Sequence, residues 1–501
     1  MAYPRSISPR PGAFQRCLRA LLGAALLLFG EAGCARDVGD LNLLIVRSPV
    51  VQEEPLDPEL VKWLGIRAEG PGMGVRTLEE PFVQGETSRL PHVEVGPERT
   101  LQLEGRVSEG GAVVSRGRSV PLEILPGRTE VELFVGLVGR FSTSSGGPLL
   151  EPRGEAHLLP VAPGLLFLVG GREAPGGALP GALEAFDPTR GERTISGDCR
   201  GGGFLCLRWP RTHHAALPAA DGVLVLGGAD DTGLIGEIER CTVAGCSVWG
   251  TLDEPRRDPA AAPSGEARGG GGFLVGGEGS TGPLPSVDRV VADGRLVPAP
   301  PLPSARTRAA AAVAGDGTLV VFGGLGAAGT ALPGAVRLRA DATSFELVEG
   351  AADAGRADAV AVTLPDGRVL FVGGRHSDGT PSDEVDLYDP EAGAICPVGT
   401  LRRPLADHSV SPLPHGGALV AGGLGAGEAV TNEVSRLDTR FVPSGATCAT
   451  VRDTLEVAPA GRLRHARHHH AAATAANGLV VVAGGYGETG EGVGTIEVYV
   501  P

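Results

Sequence analysis

Short apolar runs ending in Gly-Gly recur seven times along the chain: LLFLVGG (165–171), VLVLGG (223–228), GFLVGG (272–277), TLVVFGG (318–324), RVLFVGG (368–374), ALVAGG (418–423) and LVVVAGG (479–485). Their first glycines are separated by 57, 49, 47, 50, 49 and 62 residues. Runs this short, bounded by glycine and rich in β-branched residues, read as buried strands rather than helices. A period near 50 then predicts a repeated small sheet. Each unit follows one plan. An alanine-rich strand comes first, as in HAALPA (214–219), AAAAVA (309–314), DAVAVT (358–363) and AAATAA (471–476). A turn follows at Asp221-Gly222, Asp316-Gly317, Asp366-Gly367 or Asn477-Gly478, dipeptides that favour two-residue hairpins. The diglycine strand is next, then a third strand 10 to 15 residues on, such as GALEAFDP, GEIERC, DEVDLYDP or GTIEVYV. A weaker fourth strand completes the unit.

Other parts of the chain carry other patterns. LNLLIV, TLQLEGRV, SVPLEIL and TEVELFVGLV, within 41–138, alternate apolar and polar residues, which predicts a small antiparallel β-sandwich of immunoglobulin or prealbumin type. Residues 1–34 read as an export signal: Arg5, Arg10, Arg16 and Arg19, then ALLGAALLLF (20–29), too short to span a bilayer. Ala32-Gly33-Cys34 matches the end of a lipoprotein signal, making Cys34 the candidate lipidation site, though Glu31 stands where leucine is usual; plain cleavage near Ala32 or Ala35, giving a secreted chain, is the alternative, and 35–40 is a tether. The last repeat stops at its third strand, and GRFST (139–143) precedes the first repeat unmatched. A strand from about 139–145 added to the last unit accounts for both and leaves no open sheet edge.

Composition changes this picture in three ways. Gly (79) and Pro (41) would suggest low complexity if they were not periodic. Aromatics are only 4 % of residues, so the core must be Val, Leu and Ala. A formal charge of −15 argues against binding nucleic acid nonspecifically, because no net positive field gathers phosphates. Six cysteines follow Cys34, an even number that suits an oxidising compartment. Cys199 with Cys206, and Cys241 with Cys246, each flank a short loop and could bridge it. Cys396 and Cys448 are left as a pair only by elimination.

The diglycine after an apolar run, Tyr388-Asp389-Pro390 in a third strand, and Arg211-Thr212-His213-His214 before an alanine strand resemble the kelch repeat family over about 139–501. The family's tryptophan seven residues after the third-strand aromatic is absent, Ile395 standing there after Tyr388. The resemblance implies an all-β chain, a seven-bladed kelch-type β-propeller preceded by the small β-sandwich. It also implies that loops entering the first strands and leaving the second strands meet around one axis. That funnel is the candidate ligand site, made of His213, Arg308, Asp358, Arg375, His376, Asp407, His408, Arg467, His470 and Glu488. Counted back from the first glycine of each pair, His213, His408 and His470 share one position, fourteen residues upstream.

Two chemistries are set aside. Copper-radical oxidases of this kind need two tyrosine ligands, yet only Tyr388, Tyr486 and Tyr499 follow the signal, two of them in third strands. In His468-His469-His470, strand alternation lets only His468 and His470 share a side, with His408 as a third ligand; solvated strand-start histidines are the preferred reading. No metal, cofactor or catalytic residue is therefore assigned. The reading is a non-enzymatic, monomeric binding or adhesion module of the cell envelope, meeting protein or glycan partners and touching the membrane only through its lipid anchor. The alternative is a carbohydrate-active enzyme, a sugar mutarotase or epimerase using Arg375, His376, His408 and Glu488.

Overall fold

A computed structural model describes residues 38–501 apart from 51–52, 85–90, 162–163, 197–198, 200–204, 266–270, 292–293, 340, 342 and 351–354. The export signal and Cys34 lie outside the described residues. The chain is all-β with almost no helix, and its many small antiparallel sheets have a propeller-like arrangement. Among the described residues, seven sheets have four strands each. Six take their strands in chain order, beginning at His157–Val161, Ala215–Ala219, Ala260–Pro263, Ala310–Val313, Val360–Thr363 and Ser409–Pro412, the second and third with a small two-stranded ribbon between their second and third strands. The seventh takes Ala471–Thr474, Val480–Ala483 and Ile496–Tyr499 from the end of the chain and Phe141–Thr143 from before the first repeat, with Phe141 opposite Tyr499. The first strands lie side by side in sequence order, and Ala471–Thr474 lies against His157–Val161. Alanine predominates in four of these inner strands, Ala215–Ala219, Ala260–Pro263, Ala310–Val313 and Ala471–Thr474, where neighbours converge, while the other three carry Leu, Val or Ser.

The diglycines explain themselves sterically. A Cβ on the first glycine would stand 1.9 Å from the Arg356 carbonyl at Gly323 and 2.3 Å from the Arg153 carbonyl at Gly484. A Cβ on the second would meet its own entering strand, 2.4 Å from the Gly154 carbonyl at Gly171 and 2.5 Å from that of Ala357 at Gly374. Both glycines of each pair also hold positive φ. Their close approach permits one hydrogen bond per sheet boundary. The amides of Gly171, Gly228, Gly277, Gly324, Gly374 and Gly423 donate to the carbonyls of Arg211, Arg256, Arg306, Arg356, Leu405 and Arg467, at 2.8–3.0 Å. The Gly485 amide donates to the Arg153 carbonyl at 2.8 Å, which returns the series to its start.

Five of those arginines, all but Arg306, are also the largest fully buried side chains among the described residues. Arg211 Nη1 donates to the Gly227 carbonyl (2.9 Å) and Nη2 to Glu239 (2.8 Å), a third-strand carboxylate that is itself fully buried. Arg153 with Glu184, Arg256 with Asp288, Arg356 with Asp386 and Arg467 with Glu497 repeat the pair. The fourth sheet has Val336 at the acid's register, so Arg306 keeps only carbonyl partners, and burial pushes its guanidinium down to about 10. The sixth has neither member, Leu405 and Ser435 standing there.

Two expectations need correction. The Asp-Gly and Asn-Gly turns are mostly not two-residue hairpins: the Ala314 amide donates to the Thr318 carbonyl, so 315–317 form a three-residue turn ending on left-handed Gly317. Leu364 with Arg368 and Ala475 with Leu479 do the same. Among these four turns, the second sheet alone has a two-residue connection, between Ala219 and Gly222. The tether is shorter than expected, because Val38–Val46 is already a strand, pairing with Val93–Glu94 and, in parallel, with Arg128–Phe134. A second sheet, built on Trp63–Gly70, Met73–Pro81, Gly96–Arg106 and Val113–Arg118, packs on that one through Leu64, Ile66, Leu103 and Leu133.

These N-terminal sheets are fastened to the hairpin ends of the repeat sheets. Asn477, in the seventh hairpin, donates to the Arg118 carbonyl (2.8 Å), and the Val120 amide to Thr189 (3.0 Å). Disulfides join Cys199 to Cys206, Cys241 to Cys246 and Cys396 to Cys448, which points to an oxidising environment.

Glu239→Ala should cost about 3–5 kcal/mol by stranding the Arg211 charge, whereas Val336→Glu should raise the melting temperature by giving Arg306 its carboxylate. Thermal melts of the two variants against the parent check both directions. His408 is buried where its ring meets Gly373, and burial pushes it down to about 4; burial likewise pushes His470 well below 6.5. The folded state therefore binds fewer protons than the unfolded one, and this stability is lost as pH falls from 6.5 towards 4. In urea melts, His408→Gln should reduce that loss.

Candidate functional site

Isolated bridges set the repeats in register just before each first strand: Gly154 with Arg172, Thr212 with Ala229, Arg257 with Glu278, Thr307 with Leu325, Ala357 with Arg375, Ala406 with Leu424 and His468 with Tyr486. The next residue in each repeat is Glu155, His213, Asp258, Arg308, Asp358, Asp407 or His469. All seven have left-handed backbone, with φ from 49° to 58°. Five are Asp or His, side chains that tolerate this region better than most. Their strain is offset by a hydrogen-bonded chain. The amides of Glu155, His469, Asp258, Arg308 and Asp358 donate to the carbonyls of His469, Asp407, His213, Asp258 and Arg308 respectively. Turning left-handed at one residue per repeat puts seven polar side chains around one cavity of about 440 Å³.

Four of the seven are carboxylates and one is arginine, and neighbours are paired. His213 Nδ1 lies 2.8 Å from Asp258 Oδ1 and its Nε2 3.6 Å from Glu155. The Asp258 hydrogen bond raises the His213 imidazole above its usual value. Arg308 grips Asp358 through Nε and Nη2, yet burial still raises the Asp358 carboxyl. Burial raises Asp407 too, but His469 and Arg375 outweigh it and hold that carboxyl below the usual range.

The predicted residues divide into three groups. His213, Arg308, Asp358 and Asp407 line the cavity as ring members. His408 and His470 line it from below, one residue further on; both are buried, and His470 Nε2 is 2.8 Å from Ser409 Oγ. An equal distance from the diglycine does not make them equivalent to His213, because the second hairpin is one residue shorter: their structural equivalent is His214. The remaining four do not line the cavity. Arg467 is spent on Glu497, and Arg375 bridges Asp407 and Glu428 at 2.8 Å each. His376 closes a turn with Thr380, and Glu488 is exposed in another. Of the alternative set Arg375, His376, His408 and Glu488, only His408 lines this cavity.

Glu155, Asp258 and His469 were missed. The signal was present, since six of the seven ring residues stand two after a buried arginine: Arg153-Gly-Glu155, Arg211-Thr-His213, Arg256-Arg-Asp258, Arg306-Thr-Arg308, Arg356-Ala-Asp358 and Arg467-His-His469, with Leu405 in the arginine's place before Asp407. Counting from the arginine instead of the glycine avoids every difference in hairpin length.

Asp407, His468 and His469 place one ligand atom each within 4.8 Å of one another. His468 Nδ1 is 2.7 Å from His469 Nδ1, and His469 Nε2 is 3.4 Å from Asp407 Oδ1.

No family model matches the chain, and no curated protein matches it. Among solved structures it is similar to one titled "Structure of YjhT", at 12 % identity and a TM-score of 0.46, over 63 % of this chain and 100 % of that one.

Proposed function

We propose that the chain is a seven-bladed kelch-type propeller behind a small β-sandwich, exported to the cell envelope, that binds glycans non-enzymatically in its axial mouth. The observation that carries this reading is the ring of seven polar side chains, one per repeat, around a single concave cavity. A cavity of about 440 Å³ suits one or two sugar residues rather than a folded protein surface. Fixed carboxylates and an arginine offer the acceptors and donors that vicinal hydroxyls require. The N-terminal sheets dock at the hairpin ends of the repeat sheets and leave the mouth clear of them.

A second reading rests on His213. Hydrogen-bonded to Asp258 and beside Glu155, it supplies an acid–base pair inside the same cavity, the minimum a sugar mutarotase or epimerase needs.

A glycan array probed with the full chain is expected to show one preferred sugar class. Asp258→Asn keeps a residue tolerant of left-handed backbone and should weaken that binding about tenfold or more, as should Arg308→Ala. Absence of any bound glycan, or unchanged binding by both variants, would overturn the glycan reading. Catalysed anomer exchange of the bound sugar, lost in His213→Asn, would move the chain to the enzymatic one.

A further inference from the structure

We propose that Asp407, His468 and His469 form a binding site for one divalent transition-metal ion at the rim of the mouth. The inference does not depend on the glycan reading.

The argument begins with the backbone. Successive residues of a strand point to opposite sides, which would part His468 from His469. The left-handed turn at His469, φ 51°, cancels that alternation. Both imidazoles come to one side, with Nδ1 atoms 2.7 Å apart and ring centroids 4.9 Å apart, while His470 turns into the core towards Ser409. The carboxylate comes from the preceding repeat, and the His469 amide donates to the Asp407 carbonyl at 2.9 Å, fixing the two backbones together. His468 is held by paired backbone bonds with Tyr486, at 3.0 and 2.9 Å. The ligands thus sit on a braced frame, with the Tyr486 ring beside both imidazoles.

The spacing fits an ion. Metal–ligand bonds of about 2.0–2.2 Å in a tetrahedron separate ligand atoms by roughly 3.3 Å. His469 Nε2 stands 3.4 Å from Asp407 Oδ1, close to such an edge, and one ligand atom of each residue lies within 4.8 Å of the other two, so a turn of the His468 ring completes the set. Second contacts already orient the carboxylate. Asp407 gives Oδ2 to Arg375, leaving Oδ1 towards His469, and Glu428 offsets the arginine's charge. Two imidazoles and one carboxylate select zinc-like ions over Mg²⁺ or Ca²⁺, which take oxygen ligands. Asp407 and His469 line the mouth, so the remaining coordination positions open onto it.

The test uses full-length, tag-free protein stripped with EDTA, titrated with Zn²⁺ by calorimetry and with Co²⁺ by visible absorption. One Zn²⁺ per chain is expected, with a Co²⁺ d–d band of four- or five-coordinate intensity. His468→Phe keeps a ring against Tyr486, and Asp407→Asn keeps a residue suited to left-handed backbone. Each should abolish the band and weaken Zn²⁺ by roughly 100-fold or more. Arg375→Met, acting only through Asp407, should weaken it by about tenfold and leave the circular dichroism unchanged. No stoichiometric Zn²⁺, or affinity unmoved in a correctly folded His468→Phe/His469→Asn double variant, would overturn the proposal.

Discussion

The structure depends on one short contact repeated at every sheet boundary, in which the backbone of a diglycine lies against the carbonyl of the residue two before the next ring position. A methyl group on either glycine would collide with backbone, and backbone cannot swing aside as a side chain can. The approach places a glycine amide on that carbonyl, so each sheet is hydrogen-bonded to the next near the axis. Where the carbonyl belongs to arginine, the side chain turns back into its own sheet and, in five sheets, meets a third-strand acid. Buried pairs of this kind contribute little net stability compared with apolar packing, but they tolerate no half-measures. We read them as setting register: each ties an entering loop to the glycine and third strand of its own sheet.

The site follows from the same geometry. With the arginine position fixed, the residue two places on must turn left-handed to enter the first strand, and its side chain is delivered to the mouth. Seven such residues meet there although 314 positions separate Glu155 from His469. The repeat therefore conserves a location rather than a chemistry, and the mouth's character comes from what occupies each place. Carboxylates predominate, one arginine is clamped by Asp358, and two histidines stand beside acids.

Much of the fold was legible because its signals are local. A glycine pair needed for close approach recurs wherever the approach recurs, and alanine marks the crowded inner strand. Less of the site was legible. Glu155, Asp258 and His469 are ordinary surface residue types, marked along the chain only by an arginine two residues earlier, whose burial and whose link to the left-handed turn show only in the fold. The distance from ring to diglycine changes with the hairpin, and one residue fewer between Ala219 and Gly222 displaced His213 against His408 and His470. Strand alternation failed at His468–His469 for a related reason, since it holds only where the backbone stays extended. The arginine–acid pairs went unread because their members stand about 30 residues apart and belong to different strands.

The most direct measurement is residue-resolved hydrogen exchange of the second-glycine amides, Gly171, Gly228, Gly277, Gly324, Gly374, Gly423 and Gly485. If the boundaries form one closed series, all seven exchange slowly and together, by the same global opening, and Gly485 is as protected as the rest. A Gly485 amide that exchanges like an exposed loop, while the other six stay protected, would mean that the series is open between the seventh sheet and the first. The ring of side chains at the mouth would then lose its physical basis.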